Sequence, residues 1–598
     1  MDSKSATGNL YQRVMEESGF YRNGAPTSGV ISAESLRNDN QQLEKRIKYS
    51  AVIDPSQINA TAIFELSGSP CIYFTQLAQS NPDPTELARL HKLSWNHGLA
   101  PMLWVVTPTN VRLYNCYSKP TEDNPNHNLI ELFEDTEAGL KQLNEHASRL
   151  QIESGEFWQW QNAKQIDRKK RVDRVLVEDL REAEKKLRAR GLKSEVAHAL
   201  LMQSIFVAYL EDREILDIQF FNSRFHVNCF IDLLDDVSAT RDLFAWLQET
   251  FNGDMFPLSS SGLQNLYEIK HLEIVKDLVG GGIDVKTGQI RLWRFYDFKV
   301  IPVELISSIY ENFLYAKDST TAKELSVHYT PINLVDLLLD EVFKDLKGSA
   351  KVLDLSCGSG VFLVESLRRL VVKRWINGEE KSRQIIRDTL YNQIYGVDVE
   401  PQAIQIAAFS LYLTALELDY ELDRNTHTSD SLKFRELIGT NLFSSNTFDE
   451  TAAFNKLEAF VNRNFDAIVG NPPWTQSKGN KLATNYCKRK RTNDGYPNGY
   501  PIARSQNPDQ AFLWRVGDFA NDNTSIGLIL HSKPFFSNTK IAWQAKESLF
   551  KRFKPTVIIN LSKLRRDNLF PNAEAPAMIF IGKGCKSQPK DNFYFVCP

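Results

Sequence analysis

The sequence predicts an α/β protein built on an open, mostly parallel sheet, and three strand ends carry that prediction. An apolar strand at 352–355 runs into the small-residue turn Ser356–Gly360, and a helix follows. A second strand ends in Asp398 before another helix, and a third ends in Asn-Pro-Pro-Trp at 471–474. Strands that alternate with helices favour a parallel sheet, in which the carboxyl ends of the strands meet at one edge. We therefore expect one cleft to link these strand ends.

Residues 1–150 are predicted to form a small N-terminal α/β domain. Their first 45 residues are polar, and strand-like runs follow on either side of one helical stretch. The predicted strands are Ala62–Leu66, Cys71–Leu77, Met102–Val106 and Val111–Tyr117, and the predicted helix is Thr85–His97. This mixture of short strands with a helix is typical of a packed α/β layer.

Residues 151–320 are predicted to be a mainly helical domain. Apolar residues recur at helical spacing in Val196–Leu210 and Val303–Leu314. The segment Lys164–Lys193 is rich in both bases and acids, which favours an exposed helix with ion pairs along its own surface. The other interpretation of that segment is a surface that contacts DNA.

Residues 321–598 carry the motifs that indicate chemistry. Gly358 and Gly360 let the backbone approach a ligand, because no Cβ stands in the way. Asp354 precedes this turn, and the spacing matches neither the dinucleotide pattern G-x-G-x-x-G nor the phosphate loop G-x-x-x-x-G-K-[ST]. Asp398 at the tip of the second strand is well placed to accept hydrogen bonds from ribose hydroxyls, although a helix N-terminal charge alone would explain it.

The Asn-Pro-Pro-Trp motif fits a planar ring with an exocyclic amine. Asn471 offers an amide oxygen, and Pro472 and Pro473 hold the neighbouring carbonyls in a stiff, extended turn. Trp474 supplies a flat apolar face. Acceptors at the edge and a stacked ring are how enzymes hold a base that has been flipped out of a nucleic acid. The plainer alternative is a rigid turn closed by a buried tryptophan.

The later part of this region continues the sheet. The predicted elements are a helix at Gln510–Phe519, a strand at Ile526–Leu530, a helix at about Ala542–Phe553, and strands at Val557–Leu561 and Ala577–Ile581. The last residues, 593–598, have the composition of a strand.

With these motifs in order, the chain resembles the S-adenosylmethionine-dependent DNA methyltransferases that act on the N6 amine of adenine, of the large restriction-modification type. The four matches are His328–Pro331, Asp354–Gly360, Gly396–Pro401 and Asn471–Trp474, in the family's gamma order. The resemblance implies a Rossmann-like, seven-stranded class I methyltransferase domain at 321–598, preceded by the helical domain and the N-terminal α/β domain. It also implies a restriction-modification or related anti-phage role.

The resemblance implies a role for each motif. S-adenosylmethionine would be the cofactor, and Asn471, Pro472, Pro473 and Trp474 would hold the target base as the catalytic motif. The residues implied for cofactor binding are Tyr329, Thr330, Pro331, Asp354, Ser356, Gly358, Gly360 and Asp398. No metal is implied. In the family an acid or amide on the third strand contacts the cofactor's adenine; we favour Asn441, because Arg435–Thr440 before it is strand-like, and Asp430 is the alternative.

Nuclease activity and target recognition are less well supported. Some fused restriction enzymes carry a Mg²⁺-dependent nuclease at the N-terminus, which needs clustered carboxylates and a lysine on adjacent strands. Asp54 and Glu65 could supply acids, but no lysine lies between Lys48 and Lys92. We expect a nuclease-like but inactive fold or an unrelated structural domain. Only 124 residues follow Trp474, so we expect sequence specificity to come from a partner subunit or a longer protein.

Composition is consistent with this interpretation. The seven cysteines form no C-x-x-C pair, which argues against a disulfide framework or a zinc site and makes a reduced cytoplasm the natural compartment. No apolar run is long enough to span a bilayer. The net charge is only −3, so binding to double-stranded DNA needs local basic surfaces. The basic stretch Cys487–Arg491, expected in a polar loop, is one candidate.

Three other functions remain open from the sequence. The same fold methylates the N4 amine of cytosine, usually with Ser in place of Asn471, and it methylates glutamine in release factors, in far shorter enzymes. From a different class, the chain could be a non-catalytic DNA-binding subunit of a defence complex. The intact motif residues argue against this last alternative.

Overall fold

The computed structural model describes residues 9–121, 124–251, 267–281, 294–314, 330–420, 433–474, 481–489, 508–567 and 576–597. The described residues form two compact units, one within Met1–Trp246 and Ser260–Ile309, the other within Leu247–Ser259 and Tyr310–Pro598. The predicted N-terminal and helical domains thus fall largely within the first unit. In the described part of the chain, no helix combines the length and the apolar character that crossing a membrane requires.

The first unit contains a short hairpin and a six-stranded sheet. The hairpin is β1 (Tyr21–Arg22) with β2 (Ala25–Pro26), and the sheet strands are β3 (Val30–Ser32), β4 (Ala62–Leu66), β5 (Ser69–Gln76), β6 (Met102–Val106), β7 (Asn110–Asn115) and β8 (Leu129–Glu134). The strands lie in chain order, and every neighbouring pair is antiparallel except β5 and β6.

Fourteen helices accompany these strands in the described residues up to Leu314. They are α1 (Leu10–Glu17), α2 (Ala33–Asn38), α3 (Leu43–Lys48), α4 (Ser50–Ile53), α5 (Pro84–His97), α6 (Glu137–Ala147), α7 (Arg149–Ser154), α8 (Val172–Ala189), α9 (Ser194–Asp212), α10 (Ile218–Phe225), α11 (Phe230–Leu233), α12 (Val237–Thr250), α13 (Ile269–Gly280) and α14 (Val303–Leu314). Short 3₁₀ turns lie at Asn40–Gln42, Pro125–Asn128, Phe157–Gln159, Ala163–Gln165 and Arg168–Lys170.

The six-stranded sheet is buried on both faces because its strands alternate between two apolar cores. On β4, Ile63 belongs to one core and Phe64 to the other. On β6, Leu103 and Trp104 divide in the same way. Helix α5 joins the parallel pair β5 and β6, as a parallel connection requires.

The second unit contains an eight-stranded, mostly parallel sheet. Its strands are β9 (Val352–Asp354), β10 (Ile394–Asp398), β11 (Leu442–Ser444), β12 (Ala467–Gly470), β13 (Ser525–His531), β14 (Lys554–Asn560), β15 (Ala577–Lys583) and β16 (Tyr594–Val596). They lie in the order β11-β10-β9-β12-β13-β15-β14-β16, and β15 runs antiparallel to both of its neighbours. The fold class predicted from the sequence is confirmed; β16 adds an eighth strand at the edge.

Nine further helices belong to this unit. They are α15 (Ile332–Phe343), α16 (Val361–Ile376), α17 (Arg383–Gln393), α18 (Pro401–Tyr420), α19 (Glu458–Val461), α20 (Lys481–Arg489), α21 (Pro508–Phe519), α22 (Lys533–Phe536) and α23 (Lys540–Phe550), with 3₁₀ turns at Ala453–Lys456 and Ser562–Asp567. Leu353, Ile468 and Ile526, on three adjacent strands, lie in one core.

Three local predictions differ from the structure. Helix α8 begins only at Val172, so the first bases of the Lys164–Lys193 segment lie outside it. Lys488 and Arg489 end helix α20 instead of lying in a loop, whereas residues 490–491 lie outside the described residues. The predicted strand Arg435–Thr440 is not a strand, because β11 begins at Leu442 after a turn.

Candidate active site

The carboxyl ends of five parallel strands of the second unit meet at one edge of its sheet. The register places Asp354 of β9 beside Gly396 of β10 and Val469 of β12. Asp398 is the partner of Ser444 on β11, and Gly470 that of Leu528 on β13. The edge therefore brings together the glycine turn, the second-strand acid and the Asn-Pro-Pro-Trp motif.

Asp354 is a buried acid, and one of its two carboxyl oxygens accepts a hydrogen bond. Its side chain is 1% exposed, and Oδ1 accepts a hydrogen bond of 2.9 Å from the backbone N–H of Ser356. Oδ2 is buried and has no hydrogen-bond partner within the described residues. Burial raises the pKa of Asp354 to about 8; the Ser356 N–H opposes this shift, and the nearby Asp398 carboxylate adds to it. Near neutral pH this group can change its charge when a cation binds.

The glycine turn and the second-strand acid are joined directly. The backbone N–H of Gly358 donates to Asp398 Oδ2 at 2.9 Å, and that of Glu400 donates to Asp398 Oδ1 at 3.0 Å. Burial raises the pKa of Asp398, and these two N–H groups oppose the shift. Gly358 has a φ of +52°, and no atom of the described residues lies within 4 Å of where a Cβ would be, so these residues leave open space beside it. Ser356 is half-buried in the same turn.

Gly360 has a different place in this turn. It is the N-cap of α16, and a Cβ built on it would lie 3.0 Å from that of Ala407 in α18. The contact of Gly360 is therefore with a helix.

Gly470 is a site residue that the sequence reasoning left out. Its φ is +153°, and a Cβ at this position would lie 2.6 Å from Asp354 Oδ1. Real Cβ atoms do not approach an oxygen this closely, so glycine is required for β12 to end beside the Asp354 carboxyl. The only sequence signal was its position directly before Asn471, since the contact with Asp354 is between distant parts of the chain.

Asn471 is held by the segment that the sequence placed first among the motifs. Its Nδ2 donates to Thr330 Oγ1 at 3.0 Å, and Thr330 is buried. Asn471 Oδ1 is buried without a hydrogen-bond partner in the described part of the chain. Thr330 thus fixes the amide and leaves its oxygen free to accept. Pro331 is the N-cap of α15, and Tyr329 lies outside the described residues.

The other members of the catalytic motif, Pro472, Pro473 and Trp474, are less exposed than a surface on which a base can stack. Pro472 is buried and Pro473 is half-buried. Trp474 is 3% exposed, and its Nε1–H donates to the backbone oxygen of Ile529 in β13 at 3.3 Å. One edge of the indole is therefore fixed to the sheet. A base could stack on Trp474 only after the residues that cover the ring move, and the stacking role stays a prediction.

Asn441 does not lie with the other candidates, so its predicted contact with the cofactor's adenine needs correction. It precedes β11 and its backbone oxygen accepts from Gly396 N–H, which places it at the amino end of that strand. Its buried Nδ2 donates to the backbone oxygens of Tyr391 and Ile394 at 2.9 and 2.8 Å. This amide ties a loop to the sheet, away from the carboxyl edge. The alternative, Asp430, lies outside the described residues.

Two further groups at the carboxyl edge were not singled out by the sequence. Thr447, just after β11, donates its hydroxyl to the backbone oxygen of Leu355 at 2.6 Å. Asp509, fully buried at the start of α21, accepts from the backbone N–H of His531 at 2.9 Å, and burial raises its pKa to about 7. Neither had a motif that could identify it.

The basic stretch near Trp474 is partly neutralised. Arg489 Nη2 lies 2.8 Å from Glu450 Oε2. Cys487 is buried, whereas Lys488 is exposed. In the described residues this stretch therefore offers less free charge for DNA than its composition suggested.

The residues of the edge fit the cofactor that the resemblance implies. The open space beside Gly358 can admit a ligand close to the backbone. Asp354 Oδ2 and Asn471 Oδ1 are buried polar atoms without partners among the described residues, and such atoms normally have one. Asp398 keeps lone pairs that can accept from hydroxyl groups.

The chain is similar to known restriction-modification proteins. Residues 392–566, which include Asp398 and the Asn-Pro-Pro-Trp motif, match the model of the Eco57I restriction-modification methylase family. The chain is 25% identical to the type I restriction enzyme MjaVII methylase subunit of Methanocaldococcus jannaschii over 339 residues, which are 56% of this chain and 50% of that protein.

A second relative is the type II restriction enzyme and methyltransferase RM.Eco57I of Escherichia coli, 26% identical over 220 residues, 30% of this chain and 22% of that protein. Among solved structures, the type IIL restriction-modification enzyme MmeI in complex with DNA overlaps with a TM-score of 0.46 and 17% identity, covering 70% of this chain and 58% of that one. The chain spans about half the length of the M. jannaschii relative. Over residues 392–566 it is similar to the Eco57I restriction-modification methylase family.

Proposed function

We propose that this chain transfers a methyl group from S-adenosylmethionine to the N6 amine of a flipped adenine in double-stranded DNA, within a restriction-modification or related anti-phage system. The observation that carries the proposal is the side-chain amide of Asn471, which Thr330 fixes. Its buried oxygen has no partner among the described residues and lies at the same sheet edge as Asp354 and Gly358. The family match supports methylation of DNA, and the adenine assignment rests on the Asn-Pro-Pro-Trp residues.

The cofactor would supply an electrophilic methyl group on a positively charged sulfur. Asp354, the Ser356–Gly360 turn and Asp398 would hold it, with Thr330 and Pro331 at its methionine end. The ionised Asp354 carboxylate would offset its positive charge, and Asp398 would accept from its ribose hydroxyls.

The protein's own part in the reaction is to orient the amine. The lone pair of adenine N6 is delocalised into the ring, which makes it a poor nucleophile. Asn471 Oδ1 and the Pro472 carbonyl would each accept one N–H of this amine, which draws the nitrogen toward tetrahedral geometry and directs its lone pair at the methyl group. Positioning and fixed dipoles would provide the catalysis. The N–C bond would form as the sulfur–methyl bond breaks with its electron pair going to sulfur, and the methylated nitrogen would then release one proton to water.

The target base is tested by mapping methylated bases in DNA from cells that express this chain, with and without its neighbouring genes. We expect N6-methyladenine in a defined sequence context. N4-methylcytosine would support the cytosine alternative, and no methylation in either setting would favour the non-catalytic DNA-binding subunit. Methylation only with a neighbouring gene would identify a separate specificity subunit.

We also propose that the N-terminal α/β domain does not cleave DNA. Both oxygens of Glu65 are engaged within the protein, by Lys45 Nζ at 2.6 Å and by the Tyr49 hydroxyl at 2.7 Å. One oxygen of Asp54, Oδ1, accepts hydrogen bonds from the backbone N–H and the hydroxyl of Ser56. Plasmid incubated with the protein and Mg²⁺ should stay intact; cleavage that is lost in Glu65→Ala would contradict this proposal.

A further inference from the structure

The first unit carries a cluster of exposed bases that differs from the other basic segments. The 3₁₀ turn Arg168–Lys170 is here called the basic turn. Its three residues and Lys164 are all exposed. From Lys164 to Arg171 there are five bases and one acid, a local charge of +4 in a chain whose net charge is −3. Such a local excess is what binding to a polyanion requires of a chain that is acidic overall.

Among the described residues, the bases of the basic turn have no carboxylate partners, unlike the bases of the following helix. At the start of α8, Arg171 and Arg174 both lie within 4 Å of Asp173, at 2.6 and 3.7 Å. Further along, Lys185 pairs with Glu182 and Arg190 with Glu273. In the part of the chain that the structure describes, no ion pair involves Lys164, Arg168, Lys169 or Lys170.

The one acid of this segment does not cancel the charge by pairing with a base. Asp167 Oδ1 accepts from the backbone N–H of Lys169 at 2.9 Å, as the N-cap of the turn. Its carboxylate is thus directed at the backbone.

The backbone of the basic turn is firmly fixed. The backbone N–H of Lys170 donates to the backbone oxygen of Asp167 at 3.0 Å. The backbone oxygen of Lys170 accepts from Nε1 of the buried Trp95 at 3.3 Å. A fixed backbone presents its charges with less loss of conformational freedom when a ligand binds.

We propose that the basic turn, together with Lys164, binds the phosphate backbone of duplex DNA. This inference rests on the proposed function for its partner: a repeating line of phosphates matches several free bases in one short segment, and phosphate contacts position a protein on DNA without reading its sequence. A 3₁₀ helix has about three residues per turn, so its three bases project in different directions. Therefore only one or two of them, with Lys164, face one duplex.

The test is the salt dependence of binding to a short fluorescent duplex of mixed sequence, measured by anisotropy between about 50 and 200 mM salt. The test variant is Arg168→Gln, Lys169→Gln, Lys170→Gln. Each lost phosphate contact reduces the slope of log K against log salt by about 0.9. We therefore expect the slope to fall by roughly 1 to 2 and the affinity to fall about tenfold or more near 0.1 M salt.

A matched control separates this site from the general loss of charge. Lys141, Lys185 and Lys551 are exposed and each has a glutamate partner, at 3.8, 3.6 and 2.7 Å. Changing these three to Gln removes the same charge and should leave the slope unchanged. The charge-conserving variant Arg168→Lys, Lys169→Arg, Lys170→Arg should also keep the parent slope. Denaturant unfolding transitions equal to those of the parent protein show that all variants are folded.

The outcomes separate this inference from the proposed function. If the parent protein binds and methylates DNA but the test variant keeps its slope, the basic turn does not contact phosphates, although the function stands. If both triple-Gln variants lose the same slope, the effect is one of total charge and this site is refuted. If the parent protein binds no DNA even at the lowest salt, this inference fails, whereas the proposed function is still decided by the methylation of DNA in cells that also express the neighbouring genes.

Discussion

At the scale of single residues, the site depends on buried polar groups whose bonds are incomplete. Asp354 and Asn471 each have one oxygen without a partner among the described residues. Leaving such groups unsatisfied is costly, and a ligand that satisfies them recovers that cost on binding. The unpaired atoms therefore indicate a binding site better than the motif alone.

Asp354 predicts that cofactor binding is linked to pH. Its pKa of about 8 lies above the ordinary value, mainly through burial, so the folded protein keeps a proton that the unfolded chain loses, and this group opposes folding increasingly as pH rises from about 4 to 8. A positively charged ligand favours the ionised form. At pH 7, binding of S-adenosylmethionine should therefore release a proton, and its affinity should rise as the pH approaches 8.

Calorimetry in phosphate and in Tris, which differ in ionisation enthalpy, measures this proton directly. The observed enthalpy at pH 7 should depend on the buffer in the parent protein and much less in Asp354→Asn. Equal enthalpies in both buffers for the parent protein would show that the Asp354 carboxyl does not respond to the cofactor's charge.

Gly470 predicts a steric effect that can be separated from backbone strain. Gly470→Ala places a methyl group 2.6 Å from Asp354 Oδ1, whereas Gly378, with a φ of +94°, has no atom of the described residues within 4 Å of where a Cβ would be. Both substitutions strain the backbone, but only the first also overpacks the site, which costs about 1–3 kcal/mol more in the free energy of unfolding. Denaturant unfolding measures the difference, and only Gly470→Ala should weaken cofactor binding. Equal effects of the two substitutions would mean that Asp354 does not constrain this position.

At the scale of elements, the strands of the sheet position the site. The position of one short strand, β11, was predicted wrongly from the sequence. β11 has only three residues and is preceded by a turn. The apolar run Arg435–Thr440 before it was predicted to be the strand. The contact with the cofactor's adenine was therefore assigned to Asn441, at the end of that run. In the structure the carboxyl end of β11 is at Ser444, level with Asp398.

Asn441 therefore predicts a loss of stability without a loss of cofactor binding. Asn441→Ala removes the donors to the buried oxygens of Tyr391 and Ile394, which should lower the free energy of unfolding by about 1–3 kcal/mol. The affinity for S-adenosylmethionine below the unfolding transition should be little changed, whereas Asp398→Ala should weaken it. A variant at Asn441 that stays stable but binds the cofactor poorly would restore the original assignment.

At the scale of the whole molecule, the sequence predicted best where the pattern is strong and local. The bounds of β4, β6 and α14 agree with those predicted, because the two strands are almost continuously apolar and the helix carries apolar residues at helical spacing. Helix α20 was missed since its composition is polar. The roles of Gly470 and Thr330 come from contacts with Asp354 and Asn471, across more than 100 residues of chain, and local patterns carry no signal for such contacts.

The same limit applies to the charge of the molecule. The sequence showed two basic segments, but only the structure shows that Arg489 is paired with Glu450 while the basic turn has no such partner in the described residues. A surface that binds DNA is defined by its unpaired charges, and composition does not report pairing.

The central claim is that Asn471 activates the amine of a flipped adenine, and methyl transfer by purified protein tests it most directly. Duplex DNA incubated with S-adenosylmethionine and the parent protein, alone or with its specificity partner, should yield N6-methyladenine on nucleoside mass spectrometry. Asn471→Ala should reduce that yield by about 100-fold or more while cofactor binding is retained. Methylation of adenine by Asn471→Ala at the parent rate would contradict the account.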